Sequence, residues 1–370
     1  MSIKHFPLPS YPVLTDMWDE LKKESRPIMV YGMGNGADKL FERFAKLGIT
    51  VSEVFASDGF VRGHSFRGKK VRAFSEIKEN YPEFVIVLSF ASNREDVITM
   101  LSEINDKYDM YVPDMPIADV GEYFDKDFYN THYNEIVSAY DRLCDDRSRA
   151  IFSSVVNYRL TGRMKYLLEC YTEKDEMYSI LPCDKISRAI DAGAYNGDTA
   201  REMKAYFSHL KSIVALEPDK KTFKRLLKYS EAENEIAIET VNAAAWREDT
   251  DGSFFGSGNR NSTAVATASF EHSEDSIRMV RIDSIAGGKV DYIKYDVEGA
   301  EREAIIGSRE TIGRDEPCLL VSLYHRSRDI FELINYFSEN YPFYKLHLCR
   351  LKCLPAWEIN LIAVKGPKGK

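Results

Sequence analysis

The sequence has little of what marks several protein classes. Its six cysteines are scattered over 370 residues, too sparsely for a disulfide-stapled secreted fold. Basic residues are not in excess, since 50 Lys and Arg stand against 58 Asp and Glu for a net charge of −8, so we expect no nucleic-acid partner. Apolar runs fall far short of the roughly 20 residues of a membrane span, and the first residues have no signal-peptide core. These absences predict a cytoplasmic protein without membrane insertion.

What is present indicates a globular chain of two domains. Hydrophobic residues make up 44% and aromatic residues 12% of the sequence, which is enough for sizeable cores. In the first part, residues 27–32, 51–56 and 84–90 are short apolar runs that alternate with helical patterns. This alternation predicts a small α/β Rossmann-like domain within residues 1–118.

Two further regions follow. Residues 119–185 have aromatic-rich helical periodicity without strand patterns, which predicts a helical connector that packs on the next domain. In residues 186–370 the predicted strands are 188–191, 212–217, 236–241, 292–295, 318–323, 344–348 and 359–364. The last two have no helix between them and must pair antiparallel. We therefore predict an α/β domain with a seven-stranded mixed sheet.

The stretch AIDAGAYNGDTAREM, residues 189–203, is the most informative part of the sequence. An apolar strand ends at an acid, small residues allow a tight turn, and a second glycine precedes the next helix. A ligand can approach the backbone closely at such a turn. The candidate ligand-binding residues here are Asp191, Gly193, Ala194, Tyr195, Gly197, Asp198 and Thr199.

The tips of the next two strands add candidates at the same edge of the sheet. Glu217 follows Gly197 by 20 residues, where a carboxylate in this architecture binds the hydroxyls of a ribose. Pro218 ends the strand. Asn242 and Ala243 close the third strand, where a polar group beside small side chains can flank an adenine.

The charge of this edge discriminates between ligands. A pyrophosphate requires free amides and basic groups, whereas this edge gathers Asp191, Asp198, Glu217 and Asp296. Carboxylates suit a sulfonium and an ammonium group. The sequence therefore favours a methyl donor over a dinucleotide.

Candidate catalytic residues lie on the fourth and fifth strands. YIKYDVEGAEREAI, residues 292–305, places Glu298 beside Asp296, and His325 is at the tip of the fifth strand. A neutral hydroxyl needs a proton acceptor, for which His325 is the first candidate and Glu298 the second. Glu301 is open between a functional role and helix-dipole stabilisation. A divalent metal on Asp296, Glu298 and His325 is conceivable but not favoured, and we assign no metal site.

These motifs resemble a known family. IDAGAYNGDT, ALEP, VNAAAW, YIKYDVEGAE and SLYHRSRD, in this order, resemble the FkbM family of S-adenosylmethionine-dependent methyltransferases over about residues 120–365. The resemblance implies a class I methyltransferase fold, with the donor held by Asp191, Gly193, Gly197, Glu217 and Asp296. It also implies O-methylation of a hydroxyl on a sugar, a glycan precursor or a secondary metabolite.

The first domain carries a weaker resemblance. VYGMGNGADKL, with Gly32, Gly34 and Ala37, is similar to nucleotide-sugar-binding domains that precede some sialic-acid-type O-acetyltransferases. Ser57 stands before Asp58 where such domains have an acid, which leaves nucleotide binding open. The alternatives are a non-catalytic protein that binds a nucleotide or the donor, and an NAD(P)-dependent oxidoreductase that uses this domain. A homo-oligomer also stays open.

Overall fold

The computed structural model describes residues 4–118, 122–255, 263–265 and 276–366. The predicted domain boundary, between residues 118 and 119, lies where the first described range ends. Within these ranges no helix is both long and apolar enough to cross a membrane. The chain has the predicted α/β architecture, with a smaller sheet first, a helical connector and a larger mixed sheet.

The first sheet has six strands in the order β3-β4-β2-β1-β5-β6. All neighbours pair parallel except β3 and β4. Apolar residues fill its inner strands because helices cover both faces. The elements are α1 (Met17–Lys23), β1 (Ile28–Tyr31), α2 (Asn35–Leu47), β2 (Glu53–Ala56), β3 (Ser65–Phe66), β4 (Lys69–Ala73), α3 (Phe74–Asn80), β5 (Val85–Leu88), α4 (Glu95–Asn105) and β6 (Asp109–Tyr111).

The connector is helical as predicted. Its helices are α5 (Lys126–Thr131), α6 (Tyr133–Arg142), α7 (Asp146–Thr161), α8 (Lys165–Leu168) and α9 (Lys174–Ser179). Helix α7 is buried on nearly every side, because Phe152 and Val155 belong to a core that also contains Phe55 of the first sheet and Leu348 of the second. The connector therefore packs against both sheets, and not on the second domain alone.

The second sheet has seven strands in the order β16-β17-β15-β14-β7-β8-β9, in which β17 pairs antiparallel with both β15 and β16 and the other neighbours pair parallel. This arrangement confirms the predicted mixed sheet. Its elements begin with β7 (Arg188–Ala192), α10 (Asp198–Tyr206), β8 (Ser212–Leu216), α11 (Lys220–Ala232) and β9 (Ala237–Val241). A separate four-stranded sheet follows, formed by β10 (Ala244–Ala245), β11 (Thr250–Phe255), β12 (Thr263–Val265) and β13 (Ser276–Val280). The chain ends with α12 (Ile282–Ile285), β14 (Tyr292–Tyr295), α13 (Glu301–Ile306), α14 (Arg309–Asp315), β15 (Cys318–Ser322), α15 (Asp329–Asn340), β16 (Tyr344–Arg350) and β17 (Ile359–Lys365).

Sequence patterns miss the edges of these sheets. The β3–β4 pair is polar and lies at the edge of its sheet, and β6 has three residues. Neither shows the apolar run that marks a buried strand. The small sheet of β10 to β13 is also missed, because its strands are short or rich in polar residues.

Candidate functional site

The turn after β7 brings two strand ends into contact. The Gly193 and Ala194 N–H groups both donate to the Leu216 carbonyl, at 3.1 and 2.8 Å. Gly193 has a φ of +92°, and a Cβ at this position would overlap the Asp296 carbonyl oxygen. No side chain fits between the end of β7 and the end of β14, so a glycine is required for this packing, and the close approach of a ligand to the backbone stays a prediction.

Glu217 follows β8 directly and is held by backbone groups. Its Oε1 accepts the Asp219 N–H at 2.8 Å, and its carboxylate also accepts from the Tyr195 backbone. Burial raises the Glu217 pKa to about 7. The Asn242 Nδ2 donates to the backbone carbonyls of Glu217, at 2.8 Å, and Pro218, at 3.2 Å, so this amide fixes the turn that carries the acid.

Asp191 and Asp296 share one lysine. Lys294 lies opposite Asp191 in the pairing of β14 with β7, and its Nζ is 3.5 Å from Asp191 Oδ1 and 3.3 Å from Asp296 Oδ2. Burial raises the Asp191 pKa to about 6, and within the described residues neither of its oxygens has a hydrogen-bond partner of good geometry. The sequence analysis missed Lys294, because a lysine in a strand normally indicates a solvent-facing position.

Asp296 is the best compensated acid of the site. Its Oδ1 accepts the Ser322 hydroxyl at 2.9 Å and the Tyr324 hydroxyl at 3.1 Å. Burial raises the pKa of this carboxyl, but Lys294, His325 and these hydrogen bonds outweigh burial and hold the pKa at about 2. Asp296 is therefore a permanent negative charge at the end of β14.

His325 is enclosed by acids. Its side chain is 1% exposed; Nδ1 lies 2.8 Å from Glu301 Oε1, and Nε2 lies 3.5 Å from Glu298 Oε2 and 3.6 Å from Asp296 Oδ1. Burial lowers the pKa of this imidazole, but the carboxylates, Glu301 first among them, outweigh burial and raise the pKa to about 10. Burial raises the Glu298 pKa to about 7. Glu298 also has a left-handed backbone with φ 54°, a strain found at functional sites.

Glu301 is more than a first-turn acid of α13. It is fully buried, and its Oε1 accepts the Val297 N–H at 2.9 Å while lying against His325. Asp329 is also buried and lies near Glu301. Burial raises the Asp329 pKa, and the negative charge of Glu301 raises it further. Glu301 therefore contacts the imidazole as well as the backbone before α13, an arrangement that the spacing alone left open.

Other predicted residues lie further from this centre. Asp198 is exposed, and its Oδ1 accepts the Thr199 N–H at 3.0 Å. Gly197 lies against Tyr229 of α11, where a Cβ would overlap the ring, and Ala243 is fully buried in the core. Of the conceivable metal ligands, Asp296 and His325 belong to a set whose ligand atoms all lie within 4.8 Å of one another, and the third member of this set is Glu301 rather than Glu298.

Comparison with known proteins identifies the second domain. A family model described as a methyltransferase FkbM domain matches residues 191–343. This match confirms the resemblance seen in the sequence. The matched range includes Asp191, Glu217, Asp296, Glu298 and His325.

A solved structure that matches over most of the chain supports this fold. A methyltransferase FkbM from Methylobacillus flagellatus KT is 18% identical, with a TM-score of 0.68, and the match covers 92% of this chain and 90% of that chain. Aeropyrum pernix fibrillarin with bound S-adenosyl-L-methionine is 14% identical, with a TM-score of 0.34 over 50% of this chain and 69% of that chain. A precorrin-6y C5,15-methyltransferase from Geobacter metallireducens GS-15 is 10% identical, with a TM-score of 0.34 over 53% of this chain and 90% of that chain. No curated protein sequence matches the chain.

Proposed function

We propose that the protein is an S-adenosylmethionine-dependent O-methyltransferase that acts on a hydroxyl of a sugar, a glycan precursor or a secondary metabolite. The observation that carries the proposal is the excess of negative charge at the end of β14. The carboxyl groups here are those of Asp191, Asp296, Glu298, Glu301 and Glu358, and the side-chain cations that act on them include Lys294, His325 and, at Glu358, Lys174.

A positively charged ligand would restore the balance. Burial raises the pKa values of Asp191, Glu217, Glu298 and Glu358, which means that the protein's own groups compensate their charged forms poorly. A sulfonium and an ammonium group have the charge that is lacking. S-adenosylmethionine has both groups and supplies the methyl group when bound.

The residues of the FkbM domain divide into two roles. Asp191, the Gly193 turn and Glu217 form the donor side, where Glu217 accepts hydrogen bonds from ribose hydroxyls. Glu298 and His325 form the acceptor side, where the hydroxyl must lose a proton as the methyl group is transferred. Alignment of the two reactants and exclusion of water contribute much of the rate.

His325 accepts the proton in this proposal, and Glu301 positions it. An imidazole with a pKa of about 10 carries a proton at pH 7, so it must first become neutral to act as a base. A cation beside Asp296 and Glu298 opposes the field of these carboxylates and lowers the His325 pKa. The site is thus suited to gain its base only when the donor side is filled. Glu298 is the second candidate for the base.

Binding and turnover test the proposal separately. Calorimetry with S-adenosylhomocysteine should give a heat of binding, and NADH should give none. Incubation with methyl-labelled donor and a panel of hydroxyl compounds should label a sugar or a related acceptor. Binding without labelling across the panel would support the alternative of a non-catalytic donor-binding protein. A folded protein that does not bind S-adenosylhomocysteine would contradict both.

A further inference from the structure

A cavity lies between the two α/β units. It has a volume of about 230 Å³. Residues 33–36 of the glycine turn after β1 line one side, together with residues 88–91 at the end of β5 and, after β6, Val112, Pro113, Met115 and Ile117. Pro355 and Trp357, from the connection between β16 and β17, line the other side. The carboxyl ends of the first sheet thus face the second domain across this cavity, at the edge where α/β folds bind ligands.

The lining of the cavity differs in charge from the site in the FkbM domain. Among the described residues that line the cavity, Lys39 is ionisable and none carries a carboxylate. The Lys39 ammonium is partly buried and donates to the carbonyls of Pro116, at 2.8 Å, and Ile117, at 3.3 Å. Burial lowers its pKa, and the charge of Glu42, which is outside the lining, opposes this effect. The described lining therefore offers a cation to a ligand and no carboxylate.

Further polar groups and two aromatic rings border the cavity. Helix α2 begins here after Gly34 and has no side-chain cap, so its first N–H groups lack that partner. Within the described residues, the buried Trp357 Nε1 has no hydrogen-bond partner. The side chains of Phe90 and Trp357 add apolar surface. Such a lining suits an anionic group joined to a planar or apolar body.

Two short segments join the lining of the cavity to the residues of the candidate site. Ile117 lines the cavity, and the next residue, Ala118, donates its N–H to the His325 carbonyl at 2.9 Å. Ala118 also lies against Gly299, beside Glu298. On the opposite side, Trp357 precedes Glu358, whose carboxylate interacts with Asp296.

We propose that this interdomain cavity binds one end of the methyl acceptor, a phosphate ester, with the anionic group near Lys39 and the body against Trp357. This inference rests on the proposed function, because it assumes an acceptor that reaches Glu298 and His325. A volume of about 230 Å³ is below the roughly 300–1,000 Å³ of pockets that bury a drug-sized ligand. The cavity therefore holds a part of the acceptor, while its hydroxyl extends into the FkbM domain.

Electrostatics favours this division of the acceptor. A phosphate placed beside Asp296, Glu298 and Glu358 would be repelled by three carboxyl groups. The same phosphate beside Lys39 meets a cation and no carboxylate of the lining. An anionic acceptor can thus approach the acidic site only if its charge is held away from it.

Calorimetry with two probes tests the charge requirement. Uridine 5′-diphosphate, a phosphate ester with a planar ring, should bind the full-length protein at least about 10-fold more tightly than uridine, because charge-assisted hydrogen bonds are the stronger ones. Equal binding of the two probes, or no binding of the diphosphate, would overturn the proposal. S-adenosylhomocysteine is titrated in parallel, so a failure of the cavity is distinguishable from a failure of the proposed function.

Substitutions locate the site. Ala91 lines the cavity, and A91W should fill it and weaken diphosphate binding at least about 10-fold without changing the affinity for S-adenosylhomocysteine. The matched control is A45W, because Ala45 is exposed on α2 and outside the cavity. Unchanged diphosphate affinity in A91W would place the binding elsewhere and overturn the assignment.

A second pair of variants covers the case in which A91W fails to fold. K39M should weaken diphosphate binding at least about 10-fold but leave uridine binding unchanged, and K39R should retain most of the affinity. A purely structural role of Lys39 would affect both probes equally. That result, in protein with an unchanged affinity for S-adenosylhomocysteine, would overturn the role assigned to the lysine and with it the proposal.

Discussion

The chain contains two strand–glycine–helix turns whose surroundings have opposite charge. The turn from β1 to α2 borders a cavity whose described lining includes Lys39 and no carboxylate. The turn from β7 to α10 lies beside Asp191 and Asp296, which share Lys294. The glycines give each turn its shape, but the side chains at the neighbouring strand ends give it a charge. A glycine pattern alone therefore predicts a place for a ligand and not the ligand's charge.

The second strand of each unit shows the same contrast. After β8, Glu217 is buried and held in the site by backbone N–H groups. After β2, Asp58 Oδ1 accepts the Ser75 N–H at 3.0 Å, at the start of α3. One acid faces a candidate ligand site, and the other supports a helix end. The following predictions use such pairs of equivalent residues.

The two glycine turns should differ most in their tolerance of a side chain. In G193A the new Cβ would overlap the Asp296 carbonyl, and alanine would also be strained at the φ of +92°. We therefore expect destabilisation by more than about 4 kcal/mol and loss of S-adenosylhomocysteine binding. In G34A the new Cβ meets nothing within 4 Å. The expected destabilisation is therefore about 1–3 kcal/mol, from the strain of an alanine at a φ of +135°. Denaturant unfolding and calorimetry compare the two. Equal effects would refute this distinction.

Removal of the proposed base should cause the next largest effect. H325A should lower turnover by about 100-fold or more, with little change in the affinity for the donor product. The control is H347A, because His347 lies on β16, where its Nδ1 contacts Asp145 at 2.7 Å. Steady-state kinetics with a labelled donor measures both variants. Full turnover in H325A would remove this residue from the mechanism and favour Glu298.

The acids after the second strands should differ in their effect on donor affinity. E217Q should weaken S-adenosylhomocysteine binding by about 10- to 100-fold, since it loses charge-assisted hydrogen bonds. D58N should leave this affinity unchanged, because Asp58 lies in the other unit and caps α3. Calorimetry at one pH measures both. A similar loss in the two variants would mean that the effect is structural and not specific to the donor site.

The smallest expected effect is a shift along the pH axis. His325 accepts a proton only when neutral, so kcat/KM should rise with pH until the pH passes its pKa. In E301Q a negative charge beside Nδ1 is lost, so the pKa falls and the rising limb should move to lower pH by at least about one unit. E303Q is the control, because Glu303 lies on the same helix but pairs with Arg247. If the rising limb of the kcat/KM profile stays at the same pH in E301Q, Glu301 does not control the pKa of His325.

The sequence predicts the second sheet well, because its strands are apolar runs that end at acids or glycines. It also places Asp191, Glu217, Asp296 and His325 at one edge, since parallel strands share their carboxyl ends. It does not predict that Lys294 lies in the site, and it leaves the role of Glu301 open. Lys294 becomes meaningful through its register opposite Asp191, and Glu301 through its contact with His325. Both depend on pairing between distant segments, which no local pattern contains.

By itself the amino-acid sequence determined the order of strands and helices, the glycine turns and the acidic character of the second crevice, because these depend on local periodicity and composition. Tertiary structure decided which charges compensate one another and where the first domain lies. It placed Trp357 across from the glycine turn of α2 and Ala118 against His325. The reason is that ion pairs and cavities depend on the packing of segments far apart in the chain.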